Sequence, residues 1–121
     1  MALAKGNLGN IVSVSVASTV GIYTNPSSTK TYIKGFVIHN VGVSSAFCKM
    51  HQVPNSGGSV GTADSTNRFF SQFIDIGETT FLEYPYPLTL TGTNDSIRVE
   101  IPDAGMVNFQ ILGDKDPWYG I

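Results

Sequence analysis

Two histidines, His39 and His51, are the residues whose type most readily supports catalysis or metal binding. Imidazole acts as a metal ligand or a general base, and both roles require carboxylates nearby. The two histidines lie on consecutive predicted strands, so a hairpin could bring them together. However, the sequence contains neither an H-x-H nor an H-E-x-x-H spacing. We therefore favour ordinary strand histidines and expect no bound metal.

Carboxylates raise a second possibility, because a glycosidase needs only two of them facing each other across a cleft. Five acidic residues lie at or near predicted strand ends: Glu78, Glu83, Asp95, Glu100 and Asp103. Aspartates in such positions are more often turn formers, as the Asn94–Asp95 pair indicates. We therefore favour structural roles for these residues over catalytic ones.

Cys48 is the only cysteine, so the chain has no internal disulfide and no multi-thiolate metal site. It lies inside a predicted strand, where a thiol usually acts as a small apolar side chain. The sequence also has no P-loop, dinucleotide fingerprint or G-x-S-x-G nucleophile motif. We expect neither an enzyme nor a cofactor.

Tyr84 and Tyr86 lie in the stretch EYPYPL, separated by Pro85. If this stretch is extended, the two rings project to the same side, which suits carbohydrate stacking or a protein interface. Alternatively, the prolines protect an edge strand from unwanted pairing while the rings cover the end of the sheet. We favour the edge-strand role first and the interface role second.

Trp118 and Tyr119 follow Pro117 beyond the last predicted strand. Chain ends usually fray, and two large rings exposed to water at such an end are unfavourable. These rings must therefore fold back on their own domain or dock on a neighbouring chain. Both residues are candidates for a protein interface.

The first residues of the sequence are polar and glycine-rich, and we interpret residues 1–10 as an extended arm. Lys5, Asn7 and Leu8 are the contact candidates within it. Lys5 precedes an apolar-leaning stretch, which raises the question of a signal peptide. Serines alternate with apolar residues in that stretch, however, and this pattern is typical of a strand.

Strands must position all these residues, because apolar and polar side chains alternate along most of the chain. Residues 30–40 carry apolar groups on both faces, which predicts a central strand between two layers. Residues 68–76 also fit one face of a helix, but their phenylalanines favour a strand. Glycine-rich residues 54–67 predict a mobile loop. The predicted strands are 11–17, 20–24, 30–40, 46–53, 68–76, 79–84, 88–91, 96–101 and 106–112.

Short strands separated by turn residues predict an all-β fold, specifically an antiparallel, jelly-roll-like β-sandwich with extended N- and C-terminal arms. The 121 residues are enough for one domain. We place the sandwich at residues 11–113, the N-terminal arm at 1–10 and the C-terminal tail at 114–121.

The composition limits the classes of partner. Only 13% of the residues are charged and the formal net charge is -2, with the cations scattered along the chain. This pattern lacks the basic patch that binds nucleic acid. No apolar run reaches the length of a transmembrane helix. We therefore expect neither nucleic acid nor membrane as a direct partner.

Two segments, IYTNPSSTKTYIKGFVIHNVG and GETTFLEYPYPLTLTGTNDSIRV, flank the glycine- and serine-rich loop. Together they resemble small β-sandwich virion proteins of tailed bacteriophages, in particular cyanophage-type capsid cement (decoration) proteins. The resemblance covers residues 20–100 and lies in the style and order of the segments. It implies a homotrimer on the outer surface of the virion capsid that clamps neighbouring subunits of the major capsid protein.

Two other classes remain open at this stage. The first is a virion sandwich associated with the tail, the baseplate or a fibre, for which the same style of sequence occurs. The second is a carbohydrate-binding module that uses Tyr84, Tyr86 and Trp118 as stacking rings. Binding to a glycan array would distinguish the second class from the virion proteins.

Overall fold

The computed structural model of the chain describes residues 4–8, 11–15, 18–101 and 105–117. Within these residues no helix is long and apolar enough to span a bilayer. The nine elements are all strands: β1 (Ala4–Asn7), β2 (Val12–Val14), β3 (Val20–Thr24), β4 (Thr29–Asn40), β5 (Ala46–Val53), β6 (Arg68–Ile74), β7 (Thr79–Leu90), β8 (Ser96–Glu100) and β9 (Val107–Pro117).

The strands form two antiparallel sheets. In the larger sheet, β1 and β2 both pair with β9, which is followed by β4 and β7; the smaller sheet has the order β3-β8-β5-β6. From β2 onward every connection crosses from one sheet to the other, except the one between β5 and β6. This is the connectivity of a jelly roll. The predicted all-β antiparallel sandwich is confirmed.

The core fills the space between the sheets. In β5, for example, every second residue from Ala46 to Met50 points inward, and Ala46, Cys48 and Met50 are each 0% exposed. Ile97 and Val99 of β8 are buried in the same way. Burial of these side chains is the main favourable term in folding. The other fully or nearly fully buried apolar residues are Leu8, Val14, Ile33, Phe36, Ile38, Val53, Ile74, Leu90, Ile101, Val107, Phe109 and Ile111.

β4 confirms a strand over residues 30–40, but the expectation of two covering layers is wrong. A bulge between Ile33 and Gly35 shifts the register of β4 against both neighbouring strands. Ile33 faces the core before the bulge, and Phe36 and Ile38 face the same core after it. One extra residue reverses the alternation of side chains. The two apolar faces in the sequence are therefore two halves of one face.

β7 unites the two strands that were predicted at 79–84 and 88–91. Its pairing with β4 stops at Glu83, opposite Gly35, and resumes at Leu88, opposite Ile33. The Tyr-Pro-Tyr-Pro sequence of residues 84–87 lies in this gap. Proline has no N–H to donate to a sheet, so the interruption falls where pairing is least favourable.

β6 confirms the strand predicted over residues 68–76, and the helical alternative is wrong. Phe69 and Phe70 are consecutive, yet both pack against the core. The register between β5 and β6 shifts beside them, between Met50 and His51. This shift accounts for the partial burial of both Phe69 and Phe70, whereas Phe73 is 60% exposed and contacts Phe47.

The expected C-terminal boundary at residue 113 falls inside β9, and β1 lies within the expected N-terminal arm. β9 continues to Pro117, because Thr29–Thr31 of β4 pair with its last three residues. In the polar last part of β9, Asp114 forms an ion pair with Lys34 of β4, with 2.7 Å between Lys34 Nζ and Asp114 Oδ2. β1 in turn pairs with residues 112–115 of β9. Residues 4–8 of the expected arm, and residues 114–117 of the expected tail, thus belong to the larger sheet.

A candidate protein-binding surface

The two ends of the sandwich carry different kinds of loop. At one end lie residues 41–45 between β4 and β5, the turn at 75–78, and Gly105–Met106 before β9. At the other end lie the turns at 25–28 and 91–95 and the loop at 54–67. Hydrogen bonds within each group, described below, show that the loops of one end touch one another.

Large apolar side chains are exposed at the first end. Val43 is 94% exposed, Ile76 61%, Met106 44% and Val41 42%. These four residues are called the apolar end below. A shallow groove of about 310 Å³ runs between residues 41–44 and Gly105–Met106. Val41, Val43 and Met106 line this groove, and Ile76 lies on the neighbouring turn; clusters of exposed apolar groups are typical of protein-binding surfaces.

Asn40, the last residue of β4, holds the loops of the apolar end. Its side chain is fully buried. Its Nδ2 donates to the carbonyl oxygens of Ser44 and Ile74, both at 2.9 Å, and its Oδ1 accepts from the Gly42 N–H at 2.8 Å. One amide group thus connects the 41–45 loop to the end of β6.

Backbone hydrogen bonds complete this arrangement. Gly77 N donates to the Asn40 carbonyl, and Asn40 N donates to Glu78 O, both at 3.1 Å. Val41 N donates to Met106 O at 3.0 Å, which adds the third loop. The apolar side chains are therefore presented on a fixed backbone, which lowers the entropy lost when a partner binds.

The opposite end uses the same device but presents polar groups. Asn25 is 1% exposed, and its Nδ2 donates to the carbonyl oxygens of Thr29 and Gly92, both at 2.9 Å. Its Oδ1 accepts from the Thr31 hydroxyl at 2.6 Å. We call this the polar end, since no apolar cluster accompanies Asn25 among the described residues.

The loop at 54–67 is attached to the polar end through Asp95. The Asn55 backbone N–H and side-chain Nδ2 donate to Asp95 Oδ1 at 2.8 and 2.9 Å, and Gly92 N donates to Oδ2 at 2.8 Å. Partial burial raises the pKa of Asp95, but these hydrogen bonds outweigh that effect and the pKa is lowered overall. The interactions favour the ionised form, so they weaken as the pH falls through this lowered pKa.

Tyr84 and Tyr86 occupy different surroundings. The Tyr84 ring packs edge-on against Phe36, with 6.1 Å between ring centroids, and against Phe69 at 6.5 Å. Burial raises the pKa of the Tyr84 phenol. Tyr86 is 88% exposed. Tyr84 therefore lies on the edge strand β7 and covers the core, a role that was favoured for both rings, whereas Tyr86 is exposed and stays a candidate contact residue.

Alanine substitutions should separate the two tyrosines. Tyr84→Ala removes a half-buried ring from an aromatic cluster, and we expect it to lower the free energy of unfolding by about 2 kcal/mol. Tyr86→Ala removes an exposed ring and should change stability by no more than about 0.5 kcal/mol. Urea unfolding of both variants measures the difference. Equal losses in the two variants would contradict these assignments.

Leu8, expected as an interface residue, lies in the chain's own core with 6% of its surface exposed. Its N–H donates to Ile111 O at 3.0 Å, which continues the pairing of β1 with β9. Lys5 and Asn7 lie on β1, opposite Asp114 and Leu112. A single leucine among polar residues has no periodicity, so the sequence did not reveal its burial. Trp118 and Tyr119 lie outside the described residues.

Leu8→Ala should lower the free energy of unfolding by about 2 to 3 kcal/mol, since it removes most of a buried side chain. Ile11→Ala is a matched control from the same part of the chain, because Ile11 is 58% exposed. Thermal or urea unfolding of the two variants compares them. A larger loss for the Ile11 variant would show that β1 does not dock Leu8 into the core.

The two histidines do not form the pair that a hairpin would have produced, because β4 and β5 belong to different sheets. His39 Nδ1 contacts the Thr79 hydroxyl at 2.7 Å. His51 Nδ1 lies 3.0 Å from Asp64 O and 3.1 Å from Asn67 Oδ1. Both partners accept hydrogen bonds, so Nδ1 carries the proton. Across the described part of the chain, no three His, Cys, Asp or Glu side chains gather as metal ligands.

Cys48 is 0% exposed on β5, and burial raises the pKa of its thiol to about 11. The thiolate is the reactive form of cysteine. We expect the folded protein to resist a thiol reagent at about pH 8 and to react fully once unfolded. With a disulfide reagent that releases a coloured thiol, absorbance measures the extent of the reaction with Cys48. Rapid labelling of the folded chain would contradict the burial of Cys48.

Further partly or largely exposed rings lie on the outer faces of the sheets. Phe47 and Phe73 contact each other at 4.8 Å between centroids, and the Lys49 ammonium group lies 5.6 Å from the Phe47 centroid. Phe81 on β7 is 67% exposed. Strand alternation divides the side chains into two faces. Where both faces carry aromatic rings, it does not show which face is buried. The sequence feature that could have indicated the apolar end was a pair of valines, Val41 and Val43, which lie beside glycine and serine between two predicted strands.

A scan against protein-family models and a search of curated proteins both find no match for this chain.

Proposed function

We propose that this chain is a structural virion protein that binds the outer surface of a tailed-phage capsid and bridges neighbouring capsid subunits. The observation that carries the proposal is the apolar end, where buried Asn40 holds exposed Val43, Ile76 and Met106 on fixed loops. Jelly rolls occur in capsid proteins and lectins, but the fold alone does not set the function. The resemblance of residues 20–100 to cement proteins supplies the virion context.

The favourable free energy of binding at the apolar end would stabilise the closed shell. No chemical reaction is required. Burial of its four apolar side chains contributes roughly 4 to 6 kcal/mol per copy before the entropy of association is subtracted. One copy alone would therefore bind weakly. A homotrimer would engage three such contacts together and gain avidity, and it would link the capsid subunits beneath it.

A carbohydrate-binding module is the second candidate, because the polar end contains a cleft. The cleft has a volume of about 410 Å³, and Gln52, Asn67, Arg68, Phe69 and Asp95 are among its lining residues. Planar polar groups beside an aromatic ring suit a hydroxyl-rich ligand. Tyr84 and Tyr86, the rings first considered for stacking, do not line it. Binding to a glycan array would favour this candidate, and absence of binding would remove it.

The copy number of this chain in purified virus particles tests the proposal. Quantitative mass spectrometry would compare the chain with the major capsid protein. Copies comparable in number to the shell protein would support a cement protein. A handful of copies would instead indicate a tail, baseplate or fibre component, and absence from the particles would favour the carbohydrate-binding module.

A further inference from the structure

The charged groups around the apolar end are acidic. The turn between β6 and β7 carries Asp75 and Glu78 on either side of Ile76, and both acids are exposed. They are the only charged residues in the described loops that form this end. The turn is ordered by its own hydrogen bonds, from Asp75 N to Glu78 Oε1 at 2.9 Å and from Glu78 N to Asp75 O at 3.0 Å.

The Asp75 carboxylate is also fixed to the loop that carries the exposed valines. Ser45 Oγ donates to Asp75 Oδ1 at 3.2 Å. The negative charge is therefore held at a defined position next to Ile76 and against the loop that carries Val43. A fixed charge beside a fixed apolar surface selects among partners, because a partner of like charge is repelled.

Positive charges lie mainly towards the other end of the sandwich. Lys30 lies opposite Asp116, and Lys115 lies opposite Thr31, at the start of β4. Arg68 begins β6, directly after the loop of the polar end. Lys49 lies closer to the apolar end, but it faces Glu100 on β8. The loops of the apolar end thus carry acids only, whereas the polar end carries both signs, with Asp64, Asp95 and Asp116 beside these cations.

We infer that the apolar end docks on a protein surface that is apolar at its centre and carries Lys or Arg at its edge. This inference rests on the proposed function, for which it specifies the chemistry of the capsid surface and the orientation of the chain. The apolar end faces the shell, and the polar end with Asn25 and Asp95 faces away from it.

Two other occupants of the apolar end fit the charges less well. A second copy docked through the same end would bring Asp75 and Glu78 close to their own counterparts, which is unfavourable. An anionic lipid surface would repel the same carboxylates. The homotrimer expected for this chain must therefore form through another surface, and the apolar end stays free for the shell.

Neutralising the two acids tests the inference. The Asp75→Asn/Glu78→Gln double variant retains oxygen acceptors for Ser45 and for the Asp75 N–H but removes both charges. Co-sedimentation with capsid shells assembled without this chain measures its attachment. We expect the apparent affinity to fall about fivefold at low ionic strength, and the difference to shrink in about 0.5 M salt.

Glu83→Gln is the matched control, since Glu83 is an exposed acid on the same strand as Thr79 but away from the apolar end. We expect it to attach like the unchanged chain. If the unchanged chain attaches and the double variant attaches equally well or better, the inference is overturned while the proposed function stands. If the unchanged chain does not attach to shells at all, both are overturned.

The Val43→Ser variant distinguishes the capsid surface from a second copy and from a membrane as the occupant of the apolar end. It should fold normally because Val43 is 94% exposed. We expect it to lose shell attachment and to keep the oligomeric state of the unchanged chain in sedimentation velocity. A change of oligomeric state would assign the apolar end to contacts between copies. Flotation of the unchanged chain, but not of this variant, with phosphatidylcholine vesicles containing about a quarter phosphatidylglycerol would assign it to membranes. Either result would overturn the inference.

Discussion

Replacement of Asn40 by alanine is expected to abolish attachment to the capsid and to lower the free energy of unfolding by about 3 kcal/mol. The side-chain amide of Asn40 satisfies three backbone groups, namely Ser44 O, Ile74 O and Gly42 N. Alanine leaves these groups without that partner, at about 1 kcal/mol each. Because the same hydrogen bonds hold the 41–45 loop, the loss of stability and the loss of the binding surface should occur together.

Asn25→Ala is the matched control for this prediction. Asn25 also makes three side-chain hydrogen bonds, with Thr29, Thr31 and Gly92, but at the polar end. We expect a similar loss of stability, measured by urea unfolding, and unchanged attachment under conditions where both variants remain folded. If the two variants lose attachment equally, attachment depends on overall stability and not on the apolar end.

Gly113→Ala is expected to have the largest effect on folding, at about 4 kcal/mol or more. Gly113 of β9 lies opposite Ile33 of β4, beside the bulge. A Cβ atom at Gly113 would overlap the carbonyl oxygen of Tyr32 and approach the Ile33 Cα within 3.1 Å. These are backbone atoms in the middle of a sheet, so they cannot move aside without breaking its pairing.

Gly21→Ala tests whether the effect comes from this close approach. Gly21 also lies in a strand, but a Cβ there would meet only the Arg98 guanidinium group, at 3.0 Å from Nη1. That group ends a flexible side chain and can turn away. We expect Gly21→Ala to change stability by no more than about 1 kcal/mol. A comparable loss from both substitutions, measured by thermal unfolding, would contradict the tight contact between β9 and β4.

Short-range patterns were sufficient to predict most of the strands. The alternation in Ala46–Val53 predicted β5 with its observed bounds, and the two prolines at 85 and 87 marked the place where β7 stops pairing. The bulge at Lys34 could not be predicted, because one extra residue leaves the composition of a strand unchanged while it reverses the side-chain alternation. This is why β4 was expected to lie between two layers.

The candidate site could be predicted only in part, because it depends on contacts between residues distant in sequence. Asn40 resembles any polar residue at a strand end until its bond to Ile74 is seen, 34 residues away. Tyr86 was selected by its spacing from Tyr84 across Pro85, whereas Val43 was overlooked because single apolar residues in loops are common. Ile76 was overlooked because it was assigned to the end of the strand predicted over 68–76. Leu8 was assigned to the wrong environment, because only pairing of β1 with β9 explains its burial.

The most direct test is a site-specific photo-crosslink from the two ends of the sandwich on intact particles. A benzophenone side chain would be placed at position 43, in the apolar end, or at position 93, an exposed residue of the polar end. The crosslinked partner would then be identified by mass spectrometry. We predict that position 43 crosslinks to the major capsid protein and that position 93 does not. Crosslinks to the capsid protein from position 93 alone would contradict the proposed orientation, and crosslinks to it from neither position would contradict binding to the shell.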